Sequence, residues 1–192
     1  MNKILKKVVF IAVSSIMLLS LVACGSGSKE DIAGIENGKF PTFTAKGLDG
    51  KEYSDSLFKE NAVTVANLWF TGCGACVQEM PTLAKLDKEW SAKNVKLIGI
   101  CTDGGTTESD NEARKILEKN NAMYTNLVMN KGEAIDKFIN SVMAFPTTLL
   151  IDREGNVVGD PIIGAIDTKE KIADLNKKID DIIAKDKQQG GK

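Results

Sequence analysis

The chain has 192 residues, 43% of them hydrophobic, with 25 Lys and Arg against 26 Asp and Glu, four cysteines and no histidine. A net charge of −1 with no basic patch excludes a nucleic-acid binder, and the apolar content suffices for one domain with one core. Without histidine, and with a single closely spaced cysteine pair, the chain lacks a ligand set for tetrahedral zinc, and no metal site is expected.

The N-terminus reads as a targeting segment. Lys3, Lys6 and Lys7 make a basic start, and Val8 to Val22 is an apolar run short for a membrane span. Leu21-Val22-Ala23-Cys24, followed by Gly25, resembles a bacterial lipobox, which implies cleavage before Cys24 and a lipid on its sulfur. The alternative is an ordinary secretory signal with a chance cysteine. Residues 1–23 are then a signal peptide, and residues 24–39 a lipidated, flexible tether opened by Gly25-Ser26-Gly27-Ser28. An acyl anchor would hold the protein on the extracytoplasmic face of the cell membrane through buried methylene groups. In that compartment a dithiol needs a partner to set its redox state.

A folded domain is expected over residues 40–185, with a disordered tail at 186–192. Phe40 to Ala45, then Asp49-Gly50, then Lys51 to Tyr53 predict a β-hairpin. Val63 to Phe70 is β-branched and apolar, hence a strand. It turns at Gly72 and Gly74 into a helix with Leu83, Leu86 and Trp90 on its apolar side and a kink at Pro81. Val95 to Ile100 predicts a buried strand, and Thr107 to Asn120 a charged helix with Ala113, Ile116 and Leu117 inward. Leu127-Val128 predicts a short strand and Gly132 to Ile139 a short helix. Thr147 to Ile151 predicts a strand, turning at Asp152 to Asn156 into Val157-Val158. The last helix starts near Asp167, with Glu170 as a capping-box partner and Ile172, Leu175, Ile179 and Ile182 at helical spacing. Strands alternating with helices imply a mixed, partly parallel sheet flanked by helices.

Chemistry concentrates at Trp69-Phe70-Thr71-Gly72-Cys73-Gly74-Ala75-Cys76. Two thiols three residues apart at a helix start can close into a disulfide and reopen. The positive end of the helix dipole favours a thiolate over a thiol, and the thiolate attacks disulfides. Cys73, at the helix start, is the expected exposed nucleophile, and Cys76, one turn in, the resolving thiol. A disulfide kept only for structure would close too small a loop to constrain the unfolded chain much.

The chain resembles thioredoxin-fold proteins of the TlpA-like branch, which includes ResA. The resemblance runs from about Phe40 to Ile183. It rests on the hairpin, Asn67-Leu68-Trp69, Cys73-Gly74-Ala75-Cys76, Pro81, the central helical insertion, Phe145-Pro146-Thr147-Thr148 and the Asp152-Arg153-Glu154-Gly155 turn. It implies a thioredoxin fold, a Cys-x-x-Cys at one strand end and a cis peptide before Pro146 packed against the thiols. It further implies a disulfide reductase whose substrate groove involves Trp69, Gly72, Gly74, Ala75, Phe145, Pro146 and Thr147, with Trp69 either underlying the active-site loop or a plain core aromatic. Two departures stand out: Gly72 replaces an aromatic residue frequent in the family, and Asn67 replaces the buried acid of classical thioredoxins.

A base must then come from elsewhere, and Glu79 shares a helix face with Cys76. The resemblance gives it the role of accepting the Cys76 proton. Otherwise it is a solvated acid in a first helical turn. Cys101 ends strand 95–100, where it is either a third thiol at the site's edge or a buried, inert cysteine. No cofactor is needed, and a monomer is expected. The implied partners are disulfide-bearing exported proteins, such as an apocytochrome in cytochrome c maturation or a methionine sulfoxide reductase, with a membrane thiol transporter as electron donor. Three alternatives stay open: a thiol peroxidase on a related fold, a copper-binding chaperone lipoprotein, and a tethered interaction module with an inert thiol pair.

Overall fold

The computed structural model describes residues 38–190, so the targeting segment, Cys24 and the chain through residue 37 lie outside the described residues. Its strands are β1 Thr44–Gly47, β2 Glu52–Ser54, β3 Val63–Trp69, β4 Val95–Cys101, β5 Thr125–Met129, β6 Thr147–Asp152 and β7 Ile162–Ile163. Its α-helices are α1 Gly74–Ser91, α2 Thr107–Lys119, α3 Glu133–Asn140 and α4 Lys169–Gln188. Among the described residues no helix is long and apolar enough to cross a membrane.

All seven residues of β3 are buried, as a strand covered on both faces requires. It lies inside a seven-stranded sheet of order β2-β1-β5-β4-β3-β6-β7. β3, β4 and β5 run parallel, while β6 runs antiparallel to β3 and β1 antiparallel to β5. The sheet separates two cores. One holds Val65 and Trp69 of β3 under Met80, Leu83 and Trp90 of α1, Ala113 and Leu117 of α2, and Leu175 and Ile179 of α4. The other holds Ala66 and Leu68 under Phe40, Phe43, Phe58 and Phe138, whose rings meet edge to face. The thioredoxin-like fold and the mixed sheet flanked by helices are as expected from the sequence.

Several boundaries differ, each for a tertiary reason. The folded domain starts before Phe40: Lys39 bridges Asn156, and Val157 donates its N–H to the Gly38 carbonyl. The hairpin strands sit at Thr44–Gly47 and Glu52–Ser54, and a two-turn 3-10 helix, Asp55–Glu60, follows them. Val157-Val158 makes only an isolated bridge, and the strand that extends the sheet is Ile162–Ile163. Thr168, not Asp167, caps α4 by accepting from Lys171 N, and Glu170 plays no part in that cap. The expected tail at 186–192 is corrected in part, because α4 continues to Gln188. There Asp186 is buried against Arg153, with Nε and Nη2 at 2.7 and 3.1 Å from its two oxygens. The bidentate guanidinium holds the Asp186 carboxyl below its ordinary value.

Candidate active site

β3 ends at Trp69, and the chain turns tightly, with Cys73 N–H donating to the Phe70 carbonyl at 3.0 Å. Cys73 is the N-cap of α1: its backbone is extended, and its Sγ accepts the Cys76 N–H at 3.1 Å. A sulfur therefore takes the place of a capping oxygen at the positive end of the helix dipole. Cys73 and Cys76 form a disulfide with an S–S distance of 2.02 Å and Cα atoms 5.3 Å apart.

The expected exposed nucleophile needs correction. Cys73 is only 6% exposed, against 1% for Cys76. The disulfide and the Cys76 N–H draw its sulfur inward onto the Trp69 core. Its chain neighbours Gly72, Gly74 and Ala75 are all exposed. The order of access is nonetheless the expected one.

On the opposite flank, the Phe145–Pro146 bond is cis. Thr147 pairs with Leu68 across β6 and β3, so Pro146 comes opposite the end of β3 from which the thiol turn departs. The Phe145 ring packs edge to face on Phe70, with centroids 5.2 Å apart. Phe70 escaped the sequence reading, and it bears on the missing aromatic. A Cβ built on Gly72 would lie 3.1 Å from the Phe70 ring, so Phe70 already covers that backbone.

Of the residues expected at the groove, three are buried: Trp69, Pro146 and Thr147. Trp69 is fully buried beneath the turn, with Nε1 donating to Asn126 Oδ1 at 2.9 Å. Thr147 is buried too, with its hydroxyl on the Ala144 carbonyl and its backbone paired with Ile163. In β3 the side chains alternate, and Trp69 falls on the face that α1 covers. Gly99 is the close approach that accommodates this pair, since a Cβ there would lie 1.9 Å from Asn126 Oδ1 and 3.1 Å from Trp69 Nε1. Gly99→Ala is therefore expected to lower unfolding stability by about 1–3 kcal/mol in urea titrations, the usual cost of overpacking.

Glu79 is not a solvated helix acid. It is fully buried, and Oε1 accepts Asn67 Nδ2 at 2.9 Å while Oε2 accepts the Ile166 N–H at 2.6 Å. Asn67 also donates to Thr148 Oγ1 at 3.0 Å. Burial, the largest influence, pushes the Glu79 carboxyl above its ordinary 4.5 against those two donors. Asn67 is thus not a lost acid but the partner of a carboxyl supplied from α1. An amide within the apolar run Val65-Ala66-Asn67-Leu68 is the sequence signal for such a partner, because a buried amide needs one.

Cys101 is a free thiol, buried, whose Sγ–H donates to Asp103 Oδ1 at 3.3 Å. Burial and then that carboxylate push the Cys101 thiol up from its ordinary pKa, so it stays protonated and unreactive. Among the described residues no three His, Cys, Asp or Glu side chains gather as a metal site. The arginine a peroxidase needs is also placed elsewhere. Arg114 donates to the Leu48 carbonyl and Asn111, and Arg153 pairs with Asp186 at the far end of β3.

Fold and dithiol together define a thiol–disulfide oxidoreductase of the thioredoxin-like class. The sequence matches the AhpC/TSA family over residues 37–159, and the chain belongs to that family. It is 29% identical over 179 residues to thiol-disulfide oxidoreductase ResA of Bacillus cereus, covering 93% of this chain and 97% of that one. It is 30% identical over 154 residues to thioredoxin-like protein YneN of Bacillus subtilis, covering 80% and 84%. A solved thiol:disulfide interchange protein of Chlorobium tepidum, 22% identical, superposes with a TM-score of 0.58 over 76% of this chain and 95% of its own. That likeness speaks for the fold.

Proposed function

We propose that the protein is a lipid-anchored, extracytoplasmic reductase of disulfides in exported proteins, acting as a monomer through Cys73 and Cys76. The observation that carries this reading is the Cys73–Cys76 disulfide at the start of α1, with the more exposed of the two cysteines at the helix terminus. In the reduced protein the Cys73 thiolate attacks a substrate disulfide, forming a mixed disulfide and releasing one substrate thiolate. Cys76 gives its proton to Glu79 and attacks the Cys73 sulfur, which frees the second substrate thiolate. Two electrons pass to the substrate, and the Cys73–Cys76 bond closes. A membrane thiol transporter returns the electrons.

A polypeptide substrate suits the surface around the cis-proline. Met143 is 94% exposed and Ile163 66% exposed, large apolar side chains flanking the half-buried Phe145. Gly72, Gly74, Ala75 and the half-buried Phe145 form the contact rim over the buried Pro146, and an apocytochrome or a methionine sulfoxide reductase would present its disulfide there. The anchor rests on the Leu21-Val22-Ala23-Cys24 motif. Expressed in a bacterial host, the full chain should partition with membranes and its Cys24→Ser variant should leave them, with both reducing a peptide disulfide at equal rates. A wild-type chain recovered wholly from the cytosol overturns the placement, and a wild-type chain without reductase turnover overturns the activity.

A further inference from the structure

The thiol turn is held from the outside by one carboxylate. Asp103 follows β4, two residues beyond the Cys101 that pairs with Trp69 in the sheet. Its Oδ1 and Oδ2 lie 3.2 and 3.0 Å from the Thr71 N–H, and Oδ2 accepts the Thr71 hydroxyl at 2.6 Å. Oδ1 also accepts the Cys101 thiol. Thr71 and Gly72 are the central residues of the turn closed by Cys73 N–H on the Phe70 carbonyl. Gly72 offers no side chain to fix that turn. Apart from the Phe70 ring over Gly72, the Asp103 bonds are what fixes Thr71, two residues before the sulfur that caps α1.

We infer that Asp103 is a positioning residue for the thiol chemistry: by clamping Thr71 it holds Cys73 Sγ at the Cys76 N–H. The clamp joins two parallel strands, because Asp103 leaves β4 where Thr71 leaves β3. Thr102 completes the junction, with N–H and hydroxyl both donating to the Trp69 carbonyl, at 2.9 and 3.2 Å. A turn so fixed presents one sulfur to the helix terminus in both redox states, which is what a nucleophile that must cycle requires. The inference rests on the oxidoreductase reading and adds to it a residue outside the Cys-x-x-Cys segment.

The decisive variant is Thr71→Val, which removes the hydroxyl bond and leaves the Asp103 charge in place. Its kcat/KM for a peptide disulfide is expected to fall about tenfold, the worth of one hydrogen bond to a charged group. The pH midpoint of Cys73 alkylation in the reduced protein should rise, because the sulfur loses its hold on the Cys76 N–H. Thr71→Ser should restore both, and Asp103→Ala should lower kcat/KM further than Thr71→Val. Melting temperatures taken alongside confirm that each variant is folded, and Thr71→Val decides alone if Asp103→Ala is not. Wild-type kcat/KM and an unmoved midpoint in Thr71→Val overturn the clamp, even if its melting temperature falls. Should wild type itself fail to reduce the peptide, the oxidoreductase reading falls and the clamp with it.

Discussion

Replacing Cys73 with serine is expected to abolish disulfide reduction, by on the order of a thousandfold or more, because a serine hydroxyl carries a negligible anionic fraction at neutral pH. Cys76→Ala should behave differently. It leaves Cys73 at the helix N-cap, where the dipole and the residue-76 N–H favour the thiolate, but removes the thiol that resolves the mixed disulfide. This variant should stop after half a turnover with substrate bound to Cys73, and gel analysis without reductant should show the adduct. The asymmetry follows from the exposure of the two residues, 6% for Cys73 against 1% for Cys76. If the two replacements are interchangeable, or if Cys73→Ser traps substrate on Cys76, the order of attack is wrong.

Glu79→Gln carries the second large effect. The carboxyl is enclosed, and among the described residues its oxygens accept from the Asn67 amide and the Ile166 N–H. An amide at position 79 cannot take the Cys76 proton, so resolution should slow by about 10²-fold, the lower range for a lost general base. Mixed disulfide should accumulate while the first attack by Cys73 stays near normal. Stability should respond in the opposite sense. Burial raises the folded-state value of Glu79 above its ordinary 4.5, with Asp167 opposing and Lys171 favouring the ionised form. The folded state then binds the proton more tightly than the unfolded chain. Its contribution is therefore fully present below the ordinary value and is lost as pH rises through the folded value. Thermal midpoints measured upward from about pH 4 should fall more in wild type than in Glu79→Gln. A difference that stays flat across that range contradicts the burial argument.

What the sequence disclosed was mostly local. The Cys73 and Cys76 spacing, the apolar run ahead of it and the Phe145-Pro146-Thr147 segment each declare themselves within a few residues. The cis bond before Pro146 followed from resemblance and is present. Contacts between distant segments were hidden. Glu79 meets Ile166 across 87 positions, and Asp103 meets Thr71 across 32, so neither pairing leaves a pattern in either segment. Trp69 neighbours the thiols in sequence, which leaves a groove wall, a floor beneath the loop and a core position all open to it. A strand sends successive side chains to opposite faces, and that alternation puts Trp69 under the site. β7 was missed because two residues carry no periodicity. Asp186 was assigned to a tail because its partner, Arg153, lies in a turn 33 positions earlier.

A redox titration of the folded domain tests the account most directly. The protein would be equilibrated in dithiothreitol buffers of graded potential and its thiols counted by alkylation and mass spectrometry. One two-electron transition is expected, in which Cys73 and Cys76 gain label together while Cys101 stays unlabelled until the chain is denatured. Labelling of Cys73 and Cys76 that does not change with potential, or a transition that pairs either of them with Cys101, would contradict it.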